Sequence, residues 1–290
     1  MHRIKWVILG VAALLLLGQG GVQASEIWFV TYGGGTNSNL WTYKHDATPS
    51  LDDFTDRGAL QGDYWTDIAF GPDGTLYGLK WAGTGGNASL YSIPLDDLSN
   101  PTLLVGGTGK NLNSLGWANG GMLSSDTSGN MAFFTNASGT WAMEGMVGTV
   151  KSAGDIEKAA DGNTYAAGWD EHFYRVDVTD HTYSHTQLDQ NGIGKYLYGL
   201  AFDRDTGIYY GFSNQGQLST NPEGESYLYE IAFGSGDVTL TSILRLEDYL
   251  GDGSDDVWGA TTSPVPIPGA VWLLGSSLFG LAALRRKTRG

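Results

Sequence analysis

Short runs in which apolar and polar residues alternate recur along the middle of this 290-residue chain. Leu90-Tyr91-Ser92-Ile93, Phe173-Tyr174-Arg175-Val176 and Leu228-Tyr229-Glu230-Ile231 each show the period of two that a half-buried strand requires. Upstream of each lies a more continuous apolar run that ends in a turn. The first reads Asp67-Ile68-Ala69-Phe70-Gly71-Pro72-Asp73-Gly74-Thr75-Leu76-Tyr77-Gly78, the second Asp155-Ile156-Glu157-Lys158-Ala159-Ala160-Asp161-Gly162-Asn163-Thr164-Tyr165. The third, Gly199-Leu200-Ala201-Phe202-Asp203-Arg204-Asp205-Thr206-Gly207-Ile208-Tyr209-Tyr210, carries one extra residue in its turn. Asp-Gly accepts the positive φ of a tight turn, so each copy predicts a β-hairpin followed by a further strand.

The second and third copies start 88 and 132 positions after the first, both multiples of 44. A degenerate copy, Ser114-Leu115-Gly116-Trp117-Ala118-Asn119-Gly120, falls near the missing position. Four strands in about 44 residues is the size of one propeller blade. Ile27-Trp28-Phe29-Val30 and Leu40-Trp41-Thr42-Tyr43 lack an opening strand, and Asp256-Val257-Trp258-Gly259-Ala260 lacks partners after it. Pairing the two into one composite blade closes a ring and removes both exposed edges. The expected fold is therefore all-β, a β-propeller of about five blades over residues 25–263. A sixth is accommodated only if Gly121 to Gly154 holds another blade.

Charge separates the ends from the middle. The formal net charge is -15, but residues 1–24 and 265–290 contain six Lys and Arg and no acid, which leaves ten cations against 31 acids between them, a net of -21. So acidic a middle lacks the clustered Lys and Arg that bind nucleic acid. Without cysteine there is no disulfide framework, thiolate metal site or cysteine nucleophile.

Residues 1–24 read as a signal peptide: a basic start (His2, Arg3, Lys5), an apolar run from Trp6 to Leu17, and Val22-Gln23-Ala24, with cleavage expected between Ala24 and Ser25. Residues 264–290 combine Val265-Pro266-Ile267-Pro268, an uncharged run from Gly269 to Leu284 and the cluster Arg285-Arg286-Lys287. That run predicts a helix about 24 Å long, which with the preceding residues spans most of a membrane. This order of motif, helix and basic cluster resembles the PEP-CTERM sorting signals, in the variant reading V-P-L-P-A followed by W-L-L-G-S-G-L. Ile267 and Gly269 replace its Leu and Ala, and Ser277 stands where Gly is common. The resemblance implies signal peptidase and an exosortase as processing partners, and transient residence in the inner membrane. It further implies delivery to the outer surface or extracellular matrix of a Gram-negative bacterium, with exopolysaccharide as a candidate partner there. The hairpin motif D-I-A-F-x-P-D-G-T-L-Y-G also resembles the repeat of NHL-type bacterial propellers, which bears on fold more than function.

No G-x-S-x-G, H-E-x-x-H or phosphate-loop motif is present. His181 and His185 stand four apart in a strand-like context, about 13 Å along a strand and too far for one metal ion. Calcium is the candidate cofactor, with Asp252, Asp255 and Asp256 as hard oxygen donors around Gly253, although the full EF-hand spacing is missing. Trp65, Trp117 and Tyr198 fall at or just before innermost strands and, with Asp67 and Asp155, are the candidate binding residues of a central opening. The expected function is a non-enzymatic binding or structural role at the cell surface. The alternatives are a metal-dependent propeller hydrolase or lactonase, which needs inward carboxylates converging on one point, and a lectin-like carbohydrate binder.

Overall fold

Period-two patterning and Asp-Gly turns produce meanders of antiparallel strands. The computed structural model describes residues 26–264 apart from 33–37, 46–49, 63, 82–86, 138, 147–149, 160, 180–181, 191, 214–225, 235–236 and 251–255. The predicted signal segment with its Ala24–Ser25 junction, and the sorting segment from Val265 through Lys287, lie outside the described residues. Among the described residues no helix is long and apolar enough to cross a membrane.

The fold is a five-bladed β-propeller, each blade a four-stranded antiparallel sheet. The first holds β1 (Ile27–Tyr32), β2 (Ser38–Tyr43) and β3 (Phe54–Ala59); the second β4 (Trp65–Phe70), β5 (Leu76–Trp81), β6 (Ala88–Ile93) and β7 (Thr102–Val105). The third holds β8 (Gly116–Ala118), β9 (Gly121–Ser125), β10 (Met131–Ala137) and β11 (Thr140–Met146). The fourth holds β12 (Ser152–Lys158), β13 (Thr164–Gly168), β14 (Phe173–Thr179) and β15 (Thr182–Gln187). The fifth holds β16 (Leu197–Asp203), β17 (Ile208–Ser213), β18 (Tyr227–Phe233) and β19 (Val238–Arg245). A four-residue helix, α1 (Glu247–Leu250), then leads towards β20 (Asp256–Thr262), which returns to the first blade as its innermost strand. The register Ile27↔Thr262 and Phe29↔Ala260 joins the two ends of the ring as expected. Residues 121–154 supply the rest of the third blade and the start of the fourth, so there is no sixth blade.

Burial follows position in the blade. Every residue of the innermost strands β4 and β16 is buried, because other blades cover both faces, whereas β15 on the rim buries only Tyr183. Aromatic side chains fill the wedges between blades: Trp28 meets Phe70 edge-on, Phe29 stacks on Phe212 at 5.1 Å, Tyr77 packs on Trp141, and Tyr165 on Tyr209. Rings suit this position because each delivers a large apolar area in a flat shape that tolerates edge-to-face contact.

The hairpin turns carry their own staples. Asp73 accepts a hydrogen bond from the Thr75 amide at 3.1 Å and Asp161 one from the Asn163 amide at 2.8 Å, with Gly74 and Gly162 at positive φ. The third blade turns instead on Asn119 (φ 46°) and Gly120 (φ 85°), the two-residue geometry that Asn-Gly favours.

Candidate functional site

The innermost strands pack backbone against backbone around the axis, and this decides what the axis can do. A Cβ on Gly116 would lie 2.0 Å from the Ile156 carbonyl oxygen, and one on Gly259 would lie 2.1 Å from Asp67 Oδ1. No side chain longer than hydrogen fits at either place.

Two of the sequence-derived candidates, Asp67 and Asp155, sit in this packing, fully buried. Asp67 accepts hydrogen bonds from its neighbour Ile68 N at 2.7 Å and from Leu115 N of the third blade. Asp155 Oδ2 accepts from Leu200 N of the fifth blade at 2.5 Å and from Ala260 N of the composite blade at 3.0 Å. Asp67 thus ties the second blade to the third, and Asp155 ties the fourth to the fifth and to the composite blade. Burial, together with the charge of Asp155, pushes Asp67 well above the usual carboxyl range. Burial likewise raises Asp155, with Glu157 adding to the effect. Glu157, two residues on, is pushed up to about 8 by burial, with the Arg204 charge opposing.

The mouth where the innermost strands begin is different. There Trp169, just after β13, packs on Tyr196 with ring centroids 5.1 Å apart and meets Tyr198 nearly perpendicularly at 6.3 Å. Tyr198 in turn packs on Trp258 at 5.8 Å. The four rings form an arc from the fourth blade through the fifth to the composite blade. Trp169, Tyr196 and Trp258 are half-buried, and Tyr198 is buried. Burial raises the Tyr198 phenol, and nearby Tyr196 and Asp256 reinforce the shift.

The arc rests on a stiff turn. Glu171 adopts φ 64°, which is uncommon for a residue with a Cβ. Its amide bonds the Gly168 carbonyl, its carbonyl accepts from Ile193 N at 2.6 Å, and its carboxylate hydrogen-bonds Tyr196. Beneath it, buried Asp189 accepts from Phe173 N at 3.1 Å and lies 3.2 Å from His172 Nδ1. Non-glycine residues hold such backbone angles only where their surroundings over-determine them.

The remaining candidates are dispersed. Trp65 is buried under Gly78, its indole N–H donating to the Gln61 carbonyl at 3.3 Å, with the Lys80 ammonium 5.7 Å above the ring. Trp117 lies at the opposite end of the ring, near Gly71 and Tyr77. Asp252 and Asp255 lie outside the described residues, and Asp256 opens β20. Among the described residues no group of three or more acidic or histidine side chains is arranged to hold a metal ion. Of the sequence-derived set, the structure thus brings Tyr198 and Asp256 together at one mouth and ties Asp67 and Asp155 into the axis. Trp169, Tyr196 and Trp258 were not singled out from the sequence, although Trp258 stands in a strand whose place in the ring was. A separate groove of about 560 Å³ runs between the fourth and fifth blades, lined by Tyr165, Ile208, Tyr209, Glu230 and the exposed Phe233.

No protein-family profile matches the chain, and no curated protein sequence does. Among solved structures it is similar to the hydrazine synthase of Kuenenia stuttgartiensis, at 12% identity over 63% of this chain and 51% of that one, with a TM-score of 0.42. It is also similar to a protein from Lactobacillus plantarum, at 12% identity over 77% and 82% of the two chains and a TM-score of 0.43. A third likeness is to the β-propeller domain of Cps50 (Swd1) from Myceliophteria thermophila, at 14% identity over 59% and 53%, with a TM-score of 0.35. The chain spans about half the length of the hydrazine synthase chain, 51% of it. These likenesses assign no family.

Proposed function

We propose that this protein is an exported, non-catalytic binding propeller, displayed at the outer surface or in the extracellular matrix of a Gram-negative bacterium. The export half of the reading rests on the two ends of the chain, the basic and apolar head and the PEP-CTERM-like tail, with signal peptidase and an exosortase as processing enzymes. The binding half rests on one observation: the axial carboxyls Asp67 and Asp155 are buried and engaged by backbone amides of other blades. A metal-dependent hydrolase or lactonase needs open carboxylates converging on a shared point, and these two are committed to holding the ring closed.

Fractionation of the native host followed by intact-mass measurement tests the reading. The expected species is at the surface or in the matrix and lacks residues 1–24 and the tail beyond about Pro264. A soluble periplasmic or cytoplasmic species that keeps its tail would overturn it.

A further inference from the structure

We infer that the arc of Trp169, Tyr196, Tyr198 and Trp258 is a binding site for a neutral glycan chain. The inference names a ligand class for the binding role proposed above and rests on that reading.

Three observations carry it. First, two polar atoms of the arc have no partner: the Tyr198 hydroxyl and the Trp258 indole N–H are both buried without a hydrogen bond. A buried polar group left unpaired costs about 1–3 kcal/mol, and a ligand that bonds these two adjoining groups would recover that cost. Sugar hydroxyls both donate and accept, and match an N–H and an O–H equally well. Second, Trp169 and Trp258 are half-exposed at either end of the arc, offering apolar ring faces on which the C–H faces of pyranose rings stack. Third, the flanking polar groups are acceptors. Asp170 and Glu171 follow Trp169 in sequence, and Asp256 lies close enough to reinforce the raised Tyr198 phenol. Carboxylates accept from sugar hydroxyls and repel uronate or phosphate groups, which selects an uncharged chain. Lys151 and Lys195, next to the arc in sequence, are outnumbered by these acids. The arc is preorganised as well, since the Glu171 turn and buried Asp189 fix the Trp169 side of it before any ligand arrives.

The arrangement also argues against a quaternary ammonium as occupant. An aromatic cage holds its rings apart around the cation, whereas these rings touch one another, at 5.1 to 6.3 Å between centroids.

The test uses the full chain in a polyoxyethylene detergent, which has no sugar headgroup. Cellohexaose, xylohexaose and laminarihexaose serve as neutral probes, with polygalacturonate and choline as charged ones, read by calorimetry and tryptophan fluorescence. At least one neutral hexaose is expected to bind, with Trp169→Ala and Trp258→Ala each weakening it about tenfold or more. Tyr198→Phe keeps the ring and removes only the hydroxyl; it is expected to weaken binding about fivefold while leaving the unfolding midpoint unchanged or raised. Phe233→Ala, in the groove between the fourth and fifth blades, is expected to bind as the wild type does. Binding by none of the neutral probes, binding of polygalacturonate or choline in preference, or loss of binding only in Phe233→Ala would each overturn the inference. Correct surface delivery with any of those results removes the glycan site alone. A chain retained in the cytoplasm removes the proposed function whatever the probes show.

Discussion

Asp155 Oδ2 accepts a hydrogen bond from the Ala260 amide at 3.0 Å, across 105 residues of chain and past the whole fifth blade. The same oxygen accepts from Leu200 N, so one carboxyl holds the fourth, fifth and composite blades in register at the axis. Asp155→Ala therefore strands two buried amide donors, and is expected to cost about 3 kcal/mol. Urea unfolding followed by tryptophan fluorescence reads the loss directly; a midpoint within error of the wild type would show that the staple contributes nothing.

The same cluster sets a pH dependence. Glu157 binds its proton more tightly in the fold, at about 8, than at its ordinary value of 4.5. Its contribution is complete below the lower value and is lost as pH rises through the higher one. Asp67 and Asp155, both raised, act in the same direction. The thermal midpoint is expected to fall between about pH 5 and pH 9. Glu157→Gln should flatten that slope and raise the midpoint at about pH 9 by about 5 °C. Parallel slopes for the variant and the wild type would assign the pH dependence to general repulsion among the surface acids.

Gly259→Ala is expected to be among the most damaging single-methyl changes in the chain. The added carbon would lie 2.1 Å from Asp67 Oδ1 and 2.6 Å from its Cα, atoms that the Ile68 and Leu115 bonds hold in place. Forcing a methyl into so closed a contact costs about 2 kcal/mol or more. Denaturant titration against the wild type measures it, and a neutral result would mean that the composite blade can slide on the second.

Ring closure through β20 gives a fourth expectation. A chain that stops after Leu250 exposes the edge of β1 and removes Val257 and Ala260 from the core cluster around Phe29. Loss of a cooperative thermal transition is expected, together with oligomers on size-exclusion chromatography. A monomer melting sharply near the wild-type temperature would contradict it.

The fold was legible wherever turn chemistry and alternation coincided. Asp73-Gly74 and Asp161-Gly162 announce their hairpins because aspartate, glycine and the following strand all act locally. The third blade was fainter, since its innermost strand is only Gly116–Ala118 and its turn carries Asn119 instead of an aspartate. The site was much less legible, because what matters there is contact between blades. Asp67 and Asp155 look identical in sequence to carboxylates that face an open channel; only the distant amides of Leu115, Leu200 and Ala260 make them staples. Trp65 stands at the start of an innermost strand, where an exposed ring is a reasonable expectation, but the missing side chain of Gly78 leaves space that its indole fills. The arc escaped for the same reason: Trp169, Tyr198 and Trp258 come from three blades, separated by tens of residues, and no local pattern joins them.

The pairing of Ile27 with Thr262, backed by the bond from Ser263 N to the Glu26 carbonyl, also settles which way the ring can be handled. The chain enters and leaves side by side at one face, whereas Trp169, Tyr198 and Trp258 lie at the other. Cutting either connection removes no strand and touches no residue of the aromatic arc. Processing of both ends, as proposed above, would leave every strand of the ring in place and the aromatic arc at the opposite face untouched.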